Sequence, residues 1–270
     1  MTDKKSVSLI LSATVMLGRN GSDSLEIFMV RRNRAIDFAS GALVFPGGKV
    51  EAQDRCPALL NDCDGKAGMT EMEISLRVAA IRESFEESGI FLARHRETGR
   101  MIAGETLGEL THYRRRLASG EMSLETLLRQ EGLLLACDTL VPFARWITPE
   151  LMPKRFDTTF FLAMAPQDHI GLHDGSESVD SLWIAPEKAI QMADSGEFSM
   201  LFPTRMNLLK LAKSRTMEEA LDVARSQNIK AIMPWVEERS GKMMLCIPED
   251  QGYPVTSESL KKVMGDAASR

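Results

Sequence analysis

The sequence has 270 residues, of which 44% are hydrophobic and 26% are charged. This composition can bury a core as one large domain or two small ones, and we expect one domain over residues 1–270. The formal net charge of -5 excludes a global basic field that would draw the protein to nucleic acid or anionic lipid. Phosphate groups would therefore have to be bound locally, by a metal ion or a few arginines.

The four cysteines, Cys56, Cys63, Cys137 and Cys246, form no CxxC pair and have no neighbouring histidine at zinc-finger spacing. We interpret them as free thiols in a reducing cytosol, with a disulfide between Cys56 and Cys63 as the alternative. The apolar segment 7–17 is too short to span a membrane. These features predict a cytoplasmic protein without a membrane anchor, and a homodimer stays open.

In the first third of the chain, apolar and β-branched runs predict strands at 9–17, 25–31 and 41–45, the first two joined as a hairpin by the turn cluster 18–21. Residues 54–70 are irregular and predict an inserted loop, in which a helical turn stays open as an alternative. From 71 to 88, apolar residues recur every three or four positions, which predicts a helix that Gly89 ends.

The rest of the chain also contains both predicted helices and predicted strands. Two helices are predicted within 106–130, split at 118–120. Strands are predicted at 133–143, 156–165 and 181–184, and helices at 186–195, 201–213 and 217–227. Residues 229–237 and 242–247 predict a terminal hairpin. His169 and His173 flank a turn and are predicted at the surface.

Three glutamates near the end of the helix at 71–88 carry the strongest chemical signal. Glu83, Glu86 and Glu87 are spaced i, i+3 and i+4, so they share one helix face. Their repulsion raises each pKa, and negative charge near a helix C-terminus is unfavourable. A hard divalent cation such as Mg²⁺ removes this cost, because it prefers oxygen ligands. We expect Arg82 to pair with one carboxylate; a solvated acidic face is the alternative.

The run 82–90 reads RESFEESGI and follows FPGG at 45–48. It resembles the second half of the Nudix box, and Gly48 followed by Asp54 resembles the first half. The sequence departs from the pattern in three ways: Asp54 stands where glutamate is usual, Ser84 stands where an aliphatic residue is usual, and the interval from Asp54 to Arg82 is longer than usual. The resemblance implies a Nudix α/β/α sandwich with a mixed β-sheet. It would have an insertion at about 54–73 inside the box, a helical addition at about 104–131 and a C-terminal extension at about 214–270.

Two further segments resemble one branch of this family. The segment before the box, from Arg31 to Gly48, is similar to that of coenzyme A diphosphatases, with Asp37 where their pattern has arginine. The runs WITP at 146–149 and KRFDTTFFL at 154–162 resemble the Nudix hydrolase 19-type, RP2-like branch. This resemblance implies hydrolysis of coenzyme A or acyl-CoA to 3′,5′-ADP and a 4′-phosphopantetheine product.

The resemblance also implies the site. Glu83, Glu86 and Glu87 would hold Mg²⁺, with Mn²⁺ as the alternative metal, and Glu177 or one of the three would act as the base. Arg82 completes the predicted catalytic group. Substrate contacts are expected from Arg31, Arg32, Arg34, Gly47, Gly48, Arg155 and Asp157. A solvated cluster is the alternative for the first three arginines, a purely structural strand for the Arg155 region, and no role in the site for Glu177.

Two alternatives for the function stay open. ADP-ribose, NADH and capped RNA also present a pyrophosphate to such a site, although the acidic net charge disfavours RNA. A non-catalytic, nucleotide-binding regulatory module is the alternative of another class. Such modules typically lose carboxylates of the triad, whereas this chain has all three, which favours an enzyme acting on a small nucleotide substrate.

Overall fold

The computed structural model describes residues 8–33, 41–150, 152–166, 168–175 and 178–263. Within these ranges the strands are β1 (Leu9–Asn20), β2 (Leu25–Arg32), β3 (Leu43–Val44), β4 (Gly47–Lys49), β5 (Cys63–Asp64), β6 (Ala93–His95), β7 (Leu133–Ala136), β8 (Val141–Ile147), β9 (Arg155–Met164), β10 (Ser178–Ile184), β11 (Ala231–Ile232), β12 (Trp235–Arg239), β13 (Lys242–Cys246) and β14 (Ser257–Ser259). The helices are α1 (Pro57–Asn61), α2 (Glu71–Ser88), α3 (Gly104–Leu110), α4 (Tyr113–Ala118), α5 (Leu124–Gln130), α6 (Pro186–Asp194), α7 (Phe202–Leu211) and α8 (Met217–Ser226).

A mixed sheet organises the described part of the chain. Its order is β10-β2-β1-β9-β8-β11, with β3 on β2 and β4 on β1. The central strand β1 runs antiparallel to β2 and parallel to β9, and β8 runs parallel to β11. The predicted hairpin of the first two strands is confirmed, and so is the mixed α/β fold class.

Helices cover both faces of this sheet because β1 alternates its side chains between two cores. Val15 and Leu17 pack into one cluster with Phe85 of α2. Met16 points to the opposite face and packs into a second cluster with Met206 of α7. This is the layered α/β/α arrangement that the sequence predicted.

Helix α2 begins and ends where its sequence indicates. At its start, Thr70 and Glu73 form a capping box, in which each side chain accepts a hydrogen bond from the other residue's backbone N–H. Such a cap stabilises a helix by about 1 kcal/mol. At its end, Gly89 adopts a left-handed conformation with φ 72°, which a residue with a side chain rarely adopts.

Three predictions about secondary structure were wrong. The segment 106–130 forms three helices, α3 to α5, rather than two. The segment 133–143 is not one strand: β7 joins a small sheet with β5 and β6, whereas β8 joins the central sheet. The segment 229–237 likewise divides into β11 and β12. Apolar runs of this length show no periodicity that would reveal a change of sheet.

The inserted segment at 54–70 forms the helical turn that the sequence left open, and a short strand as well. It contains α1 and β5, and Cys63 of β5 pairs in parallel with Leu135 of β7. All the cysteines are free thiols, so Cys56 and Cys63 form no disulfide.

Among the residues described, none of the helices combines the length and the apolar character that a membrane crossing needs.

Candidate active site

Strand β4 lies beside the last turns of α2, and its two glycines make this approach possible. The Gly47 N–H donates a hydrogen bond of 3.0 Å to a carboxylate oxygen of Glu87. A Cβ atom at Gly48 would overlap the Glu83 carboxylate, and one at Gly47 would overlap the carbonyl oxygen of Ala13. Gly47 therefore requires glycine because it faces backbone, whereas a side chain at Gly48 would displace the Glu83 carboxylate.

Arg82 connects this carboxylate end to the residues behind it. It is 2% exposed, and its guanidinium donates two hydrogen bonds of 2.9 Å to the Asp54 carboxylate. The same guanidinium donates to the Lys49 carbonyl at 3.0 Å, which fixes the end of β4. Burial by itself lowers the pKa of Arg82, but the hydrogen bonds and charge of Asp54, with Glu83, raise the pKa above its ordinary value.

The expected pairing of Arg82 with a carboxylate of the triad is present. Its Nη1 lies 2.9 Å from Oε1 of Glu83 and 3.8 Å from Oε2 of Glu86. Burial raises the pKa of Glu86 to about 7, against the opposing charge of Arg82, and the carboxylates of Glu83 and Glu51 add to the increase. The protein alone thus compensates the charge of ionised Glu86 only in part.

The structure brings the three glutamates to the same end of α2 but does not gather them around one point. Glu83 and Glu86 turn toward Arg82, and Glu87 turns toward the Gly47 N–H. In the described part of the chain, no three histidine, cysteine, aspartate or glutamate side chains form a closed metal site. Mutual repulsion explains the spread, because Glu87 turns to a different donor from the one that Glu83 and Glu86 share.

The donor set nevertheless suits a hard divalent cation. Carboxylate oxygens are the ligands that Mg²⁺ and Mn²⁺ prefer, and the partly buried Glu86 carboxyl, with a pKa of about 7, would be returned to its ionised form by a nearby cation. Glu83, Glu86 and Glu87 are the residues of this site that would fit such a cation.

Ser84, which departs from the usual aliphatic residue, has a structural role. Its side chain is fully buried, and its hydroxyl donates a hydrogen bond of 2.7 Å to the carbonyl oxygen of Ile90, just beyond the helix end. The hydroxyl thereby satisfies a buried acceptor that an aliphatic side chain would leave to another donor.

The residues predicted on β9 lie one strand away from the glycines. Between them runs β1, whose Ser12 is opposite Lys49 of β4 on one side and Thr158 of β9 on the other. Two strand spacings separate β4 from β9 by roughly 10 Å, and the residues predicted on β9 lie further than this from the glycines because their partners on β1 are offset along the strand. Asp157 is 6% exposed, and both its carboxylate oxygens accept hydrogen bonds from Arg145, at 2.8 and 2.6 Å. Asp157 thus holds another side chain.

The predicted arginines are spread over several elements. Arg155 begins β9, where it donates to the Thr148 carbonyl at 3.0 Å and contacts the Met233 sulfur at 3.6 Å. Arg31 lies next to the last residue of β2, with its guanidinium 5.5 Å from the ring centre of Phe198, and the Arg32 backbone N–H donates to the Ala42 carbonyl. Arg34 and Glu177 lie outside the described residues.

Sequence reasoning missed three residues that shape the site. Asp54 was noted only as part of a motif, whereas the structure makes it the fully buried partner of Arg82. Ser12 donates a hydrogen bond of 2.7 Å to the Gly48 carbonyl, and Arg114 donates to the Glu86 carbonyl at 3.0 Å. No spacing signal links Ser12 or Arg114 to the glutamates, because both contacts are made in the folded chain alone.

Comparison with known proteins agrees with this geometry. The family model described as the NUDT19 Nudix domain matches residues 57–211, which is more than half of the chain. The crystal structure of a NUDIX hydrolase from Alicyclobacillus acidocaldarius is 27% identical in sequence, with a TM-score of 0.69, and the match covers 80% of this chain and 96% of that one.

Two curated relatives are similar over most of their length. The acyl-coenzyme A diphosphatase NUDT19 of Gallus gallus is 24% identical over 280 residues, covering 87% of this chain and 74% of the relative. The protein of the same name from Homo sapiens is 23% identical over 285 residues, covering 90% and 76%. The fold and the carboxylate helix define a Nudix pyrophosphohydrolase, and the chain belongs to the NUDT19 Nudix domain family.

Proposed function

We propose that this protein is a Mg²⁺-dependent hydrolase of coenzyme A or acyl-CoA. With one water it would release 3′,5′-ADP and 4′-phosphopantetheine, or the acylated form of the latter. The observation that carries this proposal is the three-carboxylate end of α2, which buried Arg82 holds against the two glycines of β4. The relatives named as acyl-coenzyme A diphosphatases support the substrate class.

Each residue of the site has a distinct part in this proposal. Glu83, Glu86 and Glu87 would hold the metal; Arg82 orients Glu83, and the Gly47 N–H orients Glu87. When bound, a divalent cation neutralises charge that develops on the pyrophosphate and lowers the pKa of water. The absence of side chains at Gly47 and Gly48 lets β4 lie close against the Ala13 carbonyl and the Glu83 carboxylate. Glu177 or one of the three glutamates takes the proton of the attacking water.

Arginines would bind the 3′-phosphate that distinguishes coenzyme A from other dinucleotide-like substrates. Arg31, Arg32, Arg34 and Arg155 are the candidates from the sequence. Arg145 joins them, because its side chain is half-exposed and held in place by Asp157. Asp157 would act through Arg145, since a carboxylate placed directly against a phosphate would repel it.

The remaining parts of the proposal concern the whole chain. We propose one domain over residues 1–270, in which about 54–73, 104–131 and 214–270 are additions to the common Nudix fold. The free cysteines favour a reducing compartment such as the cytoplasm. A homodimer is a further prediction, which light scattering of the purified protein would test.

A substrate panel tests the proposed reaction. Coenzyme A, an acyl-CoA, 3′-dephospho-CoA, ADP-ribose, NADH and capped RNA are each incubated with Mg²⁺ or Mn²⁺, and the products are weighed by mass spectrometry. We expect 3′,5′-ADP from coenzyme A and acyl-CoA, with lower kcat/KM for the other compounds. Preferred cleavage of ADP-ribose, NADH or capped RNA would reassign the substrate. Binding of coenzyme A without turnover would indicate a regulatory module.

Substitutions within α2 test the site itself. Glu86→Gln and Glu87→Gln keep the size of the side chain and remove its charge, so each is expected to lower kcat by more than about 100-fold. Glu71→Gln is the matched control, because Glu71 is exposed in the first turn of the same helix. Circular dichroism checks that all three variants are folded. Full activity of both site variants would refute the assignment.

A further inference from the structure

The last turn of α2, which carries Glu86 and Glu87, is contacted by a cation from another helix. The helix has no basic residue in its last turn, although three carboxylates lie near the negative end of its dipole. Arg114 of α4 supplies a positive charge at this helix end. Its Nε and Nη2 donate hydrogen bonds of 3.3 and 3.0 Å to the carbonyl oxygen of Glu86, and its guanidinium lies beside Gly89.

The same guanidinium also binds the segment that follows β9, which we name the 168–175 loop. Arg114 Nη2 donates to the Leu172 carbonyl at 2.9 Å. The Leu172 N–H in turn donates to the Ser88 carbonyl at 2.7 Å. Two carbonyls that α2 cannot satisfy within itself are therefore satisfied by Arg114 and by this loop, and Arg114 joins the helix end to the loop.

Further contacts hold the 168–175 loop to the residues that precede α4. The Asp168 carboxylate accepts a hydrogen bond from the Gly104 N–H at the start of α3. His169 is 3% exposed, with Nε2 at 3.2 Å from the Ile102 carbonyl, so its predicted surface position was wrong. The segment from Ile102 to Arg114 thus contacts the loop at three residues, and one of these contacts also reaches the carboxylate helix.

We propose that Arg114 is a positioning residue for hydrolysis. It holds the last turn of α2, and with it the Glu86 carboxylate, against the 168–175 loop. This inference rests on the proposed function. Arg114 acts through two backbone carbonyls, those of Glu86 and Leu172, rather than through the substrate. Its loss should therefore lower the rate of the chemical step more than it weakens substrate binding.

The kinetic test compares Arg114→Met with Arg115→Met, an exposed neighbour in the same helix. For coenzyme A with Mg²⁺, Arg114→Met is expected to lower kcat by about 10- to 100-fold and to change KM by less than about threefold. Arg115→Met should behave as the unmodified protein. A raised KM at unchanged kcat would make Arg114 a substrate-binding residue and overturn the proposal, and so would unchanged kinetics.

Hydrogen exchange tests, without any substrate, whether Arg114 holds the 168–175 loop against α2. The Leu172 amide, which is bonded to the Ser88 carbonyl, should exchange at least about tenfold faster in Arg114→Met, because the loop opens more often. Arg115→Met should leave this rate unchanged. Unchanged exchange in Arg114→Met would overturn the proposal. If the unmodified protein hydrolyses nothing in the panel, the proposed function fails. Faster exchange of the Leu172 amide in Arg114→Met would still show that Arg114 holds the loop against α2.

Two further variants test the positioning role of Arg114 if Arg114→Met does not fold. Arg114→Lys keeps the charge but lacks the planar fork that reaches both carbonyls, so we expect a smaller loss of kcat and a smaller gain in exchange. In Arg114→Ala, millimolar guanidinium ion should restore part of kcat, whereas Arg115→Ala should not respond. Full activity and unchanged exchange in Arg114→Lys, with no response of Arg114→Ala, would contradict the positioning role.

Discussion

Arg82 and Asp54, which are 28 residues apart in the sequence, form a two-point ion pair with side chains only 3% and 0% exposed. Asp54 also accepts a hydrogen bond of 2.8 Å from the Glu51 N–H. The pair therefore fixes the chain before α1 to the helix that carries the glutamates. It forms across the inserted segment, which explains how the site tolerates the long interval between the two halves of the motif.

Replacement of Asp54 by Asn should be strongly destabilising, because it leaves the buried Arg82 guanidinium without its partner charge. We expect a loss of about 3–5 kcal/mol in the free energy of unfolding, measured by urea titration. Asp64→Asn is the control: Asp64 also pairs with an arginine, Arg94, but is half-exposed, so its loss should be below about 1 kcal/mol. Equal losses in the two variants would contradict the anchoring role of Asp54.

Gly48→Ala should impair activity more than stability. A Cβ atom at this position would overlap the Glu83 carboxylate, which must then leave its place beside Arg82. We expect kcat to fall by at least about tenfold while the protein remains folded. Gly108→Ala is the matched control, because a Cβ atom there meets no neighbour within 4 Å and lies inside α3. That variant should keep its activity and be stabilised by about 0.5–1 kcal/mol.

Because of Lys210, the free energy of unfolding should change with pH in the alkaline range. Burial lowers its pKa from 10.5 to about 8, and its ammonium donates to the Phe143 carbonyl at 3.2 Å. Between these pH values the unfolded chain binds more protons at Lys210 than the folded one does. The contribution of this residue to the free energy of unfolding therefore rises with pH, by up to about 2–3 kcal/mol.

The measurement for Lys210 is a difference between two proteins. Urea unfolding of Lys210→Met and of the unmodified protein is compared at pH 7.5 and pH 10, so that groups present in both cancel. The free energy of Lys210→Met minus that of the unmodified protein should be smaller at pH 10 than at pH 7.5. A difference that is constant over this range would show that the pKa of Lys210 is not lowered.

The cysteines should differ sharply in reactivity. Cys56 is partly exposed, whereas Cys63, Cys137 and Cys246 are buried. The hydrogen bond between Cys137 and Cys63, together with burial, raises the pKa of the Cys137 thiol and disfavours the reactive thiolate. An aromatic disulfide reagent should titrate one thiol rapidly in the native protein and all four in urea, and Cys56→Ser should remove the rapid phase. Rapid reaction of a second thiol would contradict this arrangement.

The sequence by itself determined what depends on local spacing. The span of α2, its capping box at Thr70 and its left-handed end at Gly89 follow from neighbouring residues, as does the placement of three glutamates on one helix face. The hairpin of β1 and β2 was predicted for the same reason. Local hydrogen bonds and side-chain periodicity decide these features, and both can be read along the chain.

Only the tertiary structure decided which donor each glutamate meets. That Glu87 accepts from Gly47, that Arg82 is anchored by Asp54, and that Arg114 binds the end of α2 all depend on contacts between distant segments. The same holds for the division of residues 133–143 between two sheets. Such contacts are selected by packing and by the pairing of buried charges, which no spacing within one segment encodes.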